Sequence, residues 1–292
     1  MTSFSVRVGV DTYSYHRLLG EIRTGEQPVG TSWNLEEITQ SALVSGAEAI
    51  AYETCFLDGP ESASRAFKDV PVPFMFSWGH PYGLEFGTSD EAEQDAKRWI
   101  ETSAMVGARE MRIVLAHPAL REKLWISRNR QRTIDALRRL CDLATSLNVR
   151  LAIENHADLT AAELGEIIED VGNADLGVCF DIANALRVGD DPQRAAALLA
   201  PRVIAMHVKD ADLSDSWGVT GPPSVPLGTG SLPVLAVMGT ILDSNPETWL
   251  LVELAHLVNA SMDEEEWITR DIAWIRSAIR SRGAQPEEGR PR

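Results

Sequence analysis

The stretch Leu151-Ala152-Ile153-Glu154-Asn155-His156 runs from small and apolar residues directly into a carboxylate, an amide and an imidazole. A short apolar run of this kind is typical of a parallel strand that is covered on both faces. Polar residues at the carboxyl end of such a strand lie where (β/α)8 barrels and open α/β sheets place their functional sites. The stretch therefore predicts a buried strand that ends in chemically useful side chains.

The same pattern recurs three times further along the chain. Each segment is an apolar run that ends in a potential metal ligand: Gly177-Val178-Cys179-Phe180-Asp181, Val203-Ile204-Ala205-Met206-His207 and Leu250-Leu251-Val252-Glu253. One such strand would mean little, because buried strands often end in a polar residue that caps the next helix. Four in succession indicate a site built from strand ends.

Strand-like and helix-like runs alternate along the chain. Eight strand-like runs end at or just before polar or aromatic residues: Asp11, Glu53, Trp78, His117, Glu154, Asp181, His207 and Glu253. The fourth of these runs is predicted to cover Met111 to Ala116. Candidate helix N-caps stand between the runs: Asn34, Ser89 or Thr88, and Thr160 with Glu163 as a capping box. Eight such units favour an α/β fold that is a single (β/α)8 TIM barrel, with all strand ends around one mouth.

Length, charge and cysteine content limit the class of protein. We expect one barrel domain over residues 1–282 and a disordered tail over residues 283–292, which are rich in Pro, Gly and charge. The formal net charge of -16 argues against nucleic acid and membrane surfaces as partners. Three cysteines without Cys-x-x-Cys spacing, no signal-like N-terminus and no apolar run of about 18 residues lead us to expect a cytoplasmic protein.

The strand-end residues have the chemistry of a divalent metal site. Glu154, Asp181, His207 and Glu253 supply three hard oxygen ligands and one imidazole. This set suits Mn²⁺, Mg²⁺, Co²⁺ or Zn²⁺, with Mn²⁺ as the first choice. The alternative for any single residue is an ordinary strand-end side chain that hydrogen-bonds to a loop.

Five motifs resemble the sugar phosphate isomerase/epimerase superfamily, the xylose isomerase-like TIM barrels: Ile153-Glu154-Asn155-His156, Phe180-Asp181-Ile182-Ala183-Asn184, Met206-His207-Val208-Lys209-Asp210, Pro226-Leu227-Gly228-Thr229-Gly230 and Val252-Glu253. The resemblance implies that the four strand-end residues bind a divalent metal and that Glu154 and Glu253 also move protons. The chain departs from the ketose epimerases at Asn184, where they place a histidine. It also has no obvious counterpart of the arginine that follows their seventh strand.

The resemblance implies a metal-dependent keto-sugar isomerase or epimerase that removes a proton next to a carbonyl and forms a metal-stabilised enediolate. The main alternative is a lyase that cleaves 3-keto C-glycosides by the same enolisation, with a small partner subunit and a histidine as base. His156, His117 and His80 are the candidates for that histidine. The chain lacks several of the metal ligands that an endonuclease IV-like nuclease needs. A non-catalytic sugar-binding barrel is a further alternative, but it would not need all four metal ligands.

Several residues are candidates for substrate binding at the mouth. Asn184 and Lys209 can hydrogen-bond to sugar hydroxyls, although Lys209 can equally pair with Asp210. His117, His80 and Trp78 are further candidates, and loop aromatics can form a stacking wall: Tyr13, Tyr15, Trp33, Trp78 and Trp217. Gly228-Thr229-Gly230 predicts a turn more strongly than a phosphate cradle. We expect a small carbohydrate as substrate, and a homo-oligomer or a hetero-oligomer with a small subunit.

Overall fold

The computed structural model describes residues 6–79, 81–121, 129–214, 221–258 and 262–283. Its barrel strands are β1 (Arg7–Asp11), β2 (Ile50–Glu53), β3 (Phe74–Trp78), β4 (Glu110–Ile113), β5 (Arg150–Glu154), β6 (Gly177–Asp181), β7 (Val203–Val208) and β8 (Trp249–Val252). They close into a parallel barrel in the order β1-β8-β7-β6-β5-β4-β3-β2. This confirms the predicted (β/α)8 TIM barrel.

The helices that surround the barrel are α1 (Leu35–Val44), α2 (Pro60–Ala66), α3 (Asp90–Val106), α4 (Arg130–Ser146), α5 (Ala161–Val171), α6 (Ile182–Arg187), α7 (Pro192–Leu199), α8 (Val234–Ser244) and α9 (Glu264–Gly283). The predicted caps are present: Asn34 caps α1, Ser89 rather than Thr88 caps α3, and Thr160 forms a capping box with Glu163. Within the described ranges, no helix is both long and apolar enough to cross a membrane. The predicted tail covers residues 283–292. Gly283 is the last residue of α9, and residues 284–292 lie outside the described residues.

The fourth strand is shorter than the sequence predicts. It ends at Ile113 and not at Ala116, because the carbonyl oxygens of Val114 and Leu115 accept hydrogen bonds from the segment between β3 and α3. His117 therefore lies in a loop beyond the strand, where its Nδ1 accepts the backbone N–H of Ala119 at 3.1 Å. The apolar run continued past the end of the strand because those residues are buried against this loop.

The interior of the barrel is filled in layers that follow the period of two in each strand. A lower layer consists of small and apolar side chains: Ala51, Met75, Ala152, Cys179, Ala205 and Leu251. Because alternate residues of a strand point to the same face, the residues two positions later form the next interior layer toward the mouth. That layer consists of polar side chains: Glu53, Ser77, Glu154, Asp181, His207 and Glu253. In β1, Asp11 holds the equivalent place above Gly9, where a Cβ would collide with the carbonyl oxygen of Ala49.

The loop between β1 and α1 folds back over the mouth and is anchored by one buried carboxylate. Glu26 lies 2.9 Å from Nε2 of His16 and accepts the backbone N–H groups of Arg23 at 2.9 Å and Leu257 at 2.7 Å. Burial alone would raise the pKa of Glu26, but the hydrogen bonds from His16 and the backbone outweigh it and lower the pKa to about 2. The ionised carboxylate thus ties the β1–α1 loop to the segment that follows β8.

A short antiparallel hairpin pairs Asp210–Ala211 with Ser224–Val225 beside the mouth. The carboxylate of Asp210 accepts the backbone N–H groups of Gly228 at 3.1 Å, Gly230 at 2.9 Å and Leu232 at 3.0 Å. The Gly-Thr-Gly segment is therefore a turn whose two glycine N–H groups point at Asp210, while that of Thr229 donates to Pro226 O, and none is offered to a phosphate. This also shows why Asp210 is not the ion-pair partner of Lys209.

We predict that Glu26→Gln lowers the free energy of unfolding at pH 7 by about 3 kcal/mol, because glutamine loses the charge-assisted hydrogen bonds that the buried carboxylate accepts from His16 and two backbone N–H groups. The folded-state pKa of Glu26 lies below its ordinary value near 4.5. The stabilisation is therefore fully present above pH 4.5 and is lost as the pH falls toward 2. Urea denaturation of both proteins at several pH values measures the difference.

The exposed Glu36→Gln on α1 serves as the control and should change stability by a few tenths of a kcal/mol. A Glu26→Gln effect that stayed constant from pH 7 down to pH 2.5 would show that the charge of Glu26 does not stabilise the fold.

Candidate metal and substrate site

The four predicted metal ligands converge at the carboxyl ends of neighbouring strands. Nδ1 of His207 lies 2.8 Å from Glu253 Oε2, and 3.8 Å from both Glu154 Oε1 and Asp181 Oδ2. All four side chains are buried. Glu154 comes from β5 and Glu253 follows β8, so the strands of Asp181 and His207 separate the two glutamates.

The donor atoms fit a divalent ion. Ligand atoms held at about 2.1 Å by an octahedral ion lie roughly 3 Å apart when adjacent and about 4.2 Å apart across the ion. The spacings of 2.8 Å and 3.8 Å from Nδ1 of His207 are of this size. Glu154, Asp181 and His207 each offer one ligand atom, all within 4.8 Å of one another. Among the described residues, buried atoms of three of the four ligands make no well-aligned hydrogen bond: Glu154 Oε2, Glu253 Oε2, and Nδ1 and Nε2 of His207.

A second set of side chains orients these ligands. Nε2 of His207 faces Asp11 Oδ2 at 3.5 Å, and that carboxylate also accepts the hydroxyl of Ser77 at 3.0 Å. A carboxylate behind a ligating imidazole fixes its tautomer and leaves the other ring nitrogen for the ion. Asn184 donates from Nδ2 to Asp181 Oδ2 at 2.9 Å and to Glu154 Oε1 at 3.1 Å. Asn184 thus supports two ligands from the position where ketose epimerases place a histidine.

Arg112 is a buried counter-ion that sequence analysis did not identify. Its guanidinium contacts Glu53, and its Nε lies 3.1 Å from Glu154 Oε2. Burial opposes the charged form of Arg112, but Glu53 and Glu154 outweigh it and raise its pKa. The sequence did contain a signal, since a charged residue in the middle of a buried strand is rare unless it is paired.

Lys209 lies inside the ligand cluster. Its Nζ is 2.7 Å from Asp181 Oδ2 and 2.7 Å from Glu253 Oε2. Burial alone would raise the pKa of Glu253, but the charges of Lys209 and His207 hold it well below its usual range. The ammonium group therefore neutralises the same two oxygens that a divalent ion would use.

A cavity of about 280 Å³ opens above the ligands, at the small end of the usual range for ligand sites and suited to a molecule of monosaccharide size. His156, His117, Asn184 and Lys209 line it, as sequence analysis predicted for the mouth. His80 lies outside the described residues. Trp78 was predicted for the mouth but does not line this cavity. Because Ser77 points into the barrel, its neighbour Trp78 points outward, where its Nε1–H donates to Asp95 Oδ2 at 2.8 Å.

Among the described residues of the predicted stacking wall, one aromatic side chain lines the cavity. Tyr13 lines the cavity, whereas Tyr15 is fully buried with its ring centroid 6.1 Å from that of Trp33. Trp217 lies outside the described residues. Three further cationic or titratable side chains line the cavity: Arg23, Arg187 and His256. No sequence pattern predicted that these residues lie at the mouth. They come from loops and a short helix whose position over the mouth depends on tertiary packing.

Comparison with known proteins identifies the family. Residues 59–278, most of the chain, match the model for the xylose isomerase-like TIM barrel. The chain belongs to this family. The part of this chain that aligns with each of two curated relatives covers less than half of that relative's length. One of them is 3-oxo-isoapionate decarboxylase from Pectobacterium atrosepticum, which is 25% identical over 134 residues, or 45% of this chain and 48% of the relative.

Solved structures of the same fold cover nearly the whole xylose isomerase-like barrel. A structure of L-ribulose 3-epimerase superposes with a TM-score of 0.72 at 17% identity, over 98% of this chain and 100% of that one. A structure of the IOLI protein that includes a zinc atom gives a TM-score of 0.70 at 13% identity, over 96% and 100%. At these identities the likeness establishes the fold.

We predict that Lys209→Met binds Mn²⁺ about tenfold more tightly than the wild type, because methionine removes the ammonium that shares two ligand oxygens. Calorimetric titration of metal-stripped protein with Mn²⁺ measures the two dissociation constants. Lys97→Met on α3, where the lysine pairs with Glu93, is the matched control and should leave the affinity unchanged. An affinity for Mn²⁺ that is equal or weaker in a folded Lys209→Met protein would contradict this account of Lys209.

Proposed function

We propose that the protein is a divalent-metal-dependent isomerase or epimerase of keto-sugars. The observation that carries this proposal is the placement of Glu154 and Glu253, which approach Nδ1 of His207 from two strands separated by β6 and β7. Two carboxylates that reach one small cavity from different sides can serve opposite faces of one substrate. Similarity to solved sugar epimerases supports the same class of reaction.

Glu154, Asp181, His207 and Glu253 would hold the ion. Three carboxylates and one imidazole favour Mn²⁺, with Mg²⁺, Co²⁺ and Zn²⁺ as alternatives. When bound, the ion would supply a Lewis acid that stabilises negative charge on the oxygens of the substrate. Asp11, behind His207, and Asn184, between Glu154 and Asp181, keep the ligand side chains in place.

Glu154 and Glu253 carry the protons in this proposal. One glutamate, as the carboxylate, removes the proton from the carbon next to the carbonyl, and the other, as the carboxylic acid, donates its proton from the opposite face. Return to the same carbon inverts its configuration, and return to the neighbouring carbon interconverts ketose and aldose. Lys209, at 2.7 Å from Glu253, is placed to donate a hydrogen bond to a substrate oxygen as the proton moves.

A lyase is the second candidate function. His156 lies two residues after Glu154 and lines the same cavity, as does His117. If a leaving group stood β to the carbonyl, loss of the same proton would expel it, and a histidine could protonate the departing group. A 3-keto-glycoside would be the substrate, and the barrel would assemble with a small subunit rather than only with copies of itself.

We predict that the Mn²⁺-loaded protein exchanges deuterium from D₂O into the carbon next to the carbonyl of a keto-sugar, and that EDTA abolishes the exchange. Ketohexoses, inososes and 3-keto-glycosides are incubated in D₂O, and NMR follows both deuterium uptake and release of an aglycone. Exchange without release supports an isomerase or epimerase, and release supports the lyase. Full exchange in metal-free protein would contradict both.

Two variants test the proton carriers in the same assay. Glu154→Gln and Glu253→Gln keep a ligand oxygen but cannot accept a proton, so each should lower kcat on the order of 100-fold. The exposed Glu247→Gln is the control. If both site variants kept near-wild-type turnover while His156→Ala lost it, a histidine would be the base.

A further inference from the structure

The rim of the cavity carries two arginines that the proposed proton transfer does not use. Arg23 belongs to the loop between β1 and α1, and Arg187 is the last residue of α6. Both line the cavity, together with Lys209, and both are half-buried. Two guanidinium groups in the mouth of a site are unexpected in a chain with a net charge of -16.

Arg187 is held close to the ligand cluster. Its Nη1 donates to Asn184 Oδ1 at 3.0 Å, and Nδ2 of Asn184 donates to Asp181 Oδ2 at 2.9 Å. Two hydrogen bonds thus connect the guanidinium to a predicted metal ligand, and both side chains line the same cavity. A Cβ on Gly221 would lie 3.7 Å from Cδ of Arg187, so the backbone of that loop packs against the arginine stem.

Arg23 is positioned from the other side of the mouth. Its Nη1 donates to the carbonyl oxygen of Ala255, two residues after Glu253, and its Cζ lies 6.0 Å from the ring centroid of Tyr13. The backbone N–H of Arg23 donates to Glu26, the carboxylate that anchors this loop. Arg23 is therefore held through its backbone N–H and through its guanidinium group.

The electrostatics of the rim favour an anion. Burial lowers the pKa of Arg187, the charge of Asp181 opposes this, and the positive charge of Arg23 lowers the pKa further. Both guanidinium groups line the same cavity, and like charges that share a cavity repel each other. An anion between them would relieve this repulsion and gain charge-assisted hydrogen bonds.

We propose that Arg23 and Arg187 bind a carboxylate at the far end of the substrate, so that the protein acts on acidic keto-sugars rather than on neutral ones. This rests on the proposed function, because the carbonyl end of the same molecule would lie at Glu154, Asp181, His207 and Glu253. The planar fork of arginine matches a carboxylate in two parallel hydrogen bonds. A phosphate is less well suited, since the glycine N–H groups of the Gly-Thr-Gly turn already donate to Asp210 and do not form a phosphate cradle.

Matched probes test the proposal by calorimetry on the Mn²⁺-loaded protein. D-fructose and D-tagatose are compared with D-fructuronate and D-tagaturonate, which carry a carboxylate in place of the terminal hydroxymethyl group, and with D-fructose 6-phosphate. We expect at least one of the two keto acids to bind roughly 10- to 100-fold more tightly than its neutral counterpart. Arg23→Gln and Arg187→Gln should each reduce that ratio about tenfold, with Arg187→Lys intermediate.

The exposed Arg194→Gln on α7 is the matched control and should leave the ratio unchanged. Equal affinity within both pairs, including no measurable binding of either member, overturns the proposal, as does a stronger preference for the phosphate. Deuterium exchange distinguishes a failure of the carboxylate proposal from a failure of the proposed isomerase or epimerase function. Exchange on neutral and acidic sugars with equal kcat/KM overturns only the carboxylate proposal, whereas an arginine-dependent preference without any exchange overturns only the isomerase proposal.

Discussion

Repulsion among carboxylates at the mouth of the barrel is the constraint on which the site depends. One interior layer holds five acidic side chains in close proximity: Asp11, Glu53, Glu154, Asp181 and Glu253. Burial makes each negative charge costly unless an opposite charge lies beside it. Arg112 and Lys209 supply two permanent positive charges, which leaves an excess of negative charge that a divalent ion would offset.

The layer beneath explains how this concentration of charge is accommodated. Ala152, Cys179 and Ala205 are small, so the polar side chains above them can tilt toward the axis of the barrel. Arg112 rises from this lower layer, and its position between Glu53 and Glu154 stabilises one side of the site from below. Lys209 stabilises the other side, between Asp181 and Glu253. The site is thus divided into two halves, each with two carboxylates and one cation.

Much of the fold and the convergence of the four candidate ligands could be predicted because they follow from local patterns. An apolar strand that ends in Glu154 or Asp181 specifies both its burial and the place of its last side chain. Arg112 and Asp11 were harder to identify, because their roles depend on the register of other strands. Trp78 was predicted for the mouth, but the alternation that turns Ser77 inward turns Trp78 outward. Arg23 and Arg187 depend on tertiary loop packing, which no short pattern encodes.

The central claim is that this charged layer is a divalent metal site. The most direct measurement is anomalous diffraction from crystals of the protein grown with Mn²⁺. We predict one strong peak about 2.2 Å from oxygens of Glu154, Asp181 and Glu253 and from Nδ1 of His207. The absence of a peak among these four residues at millimolar Mn²⁺, or a peak only at the protein surface, would contradict the claim.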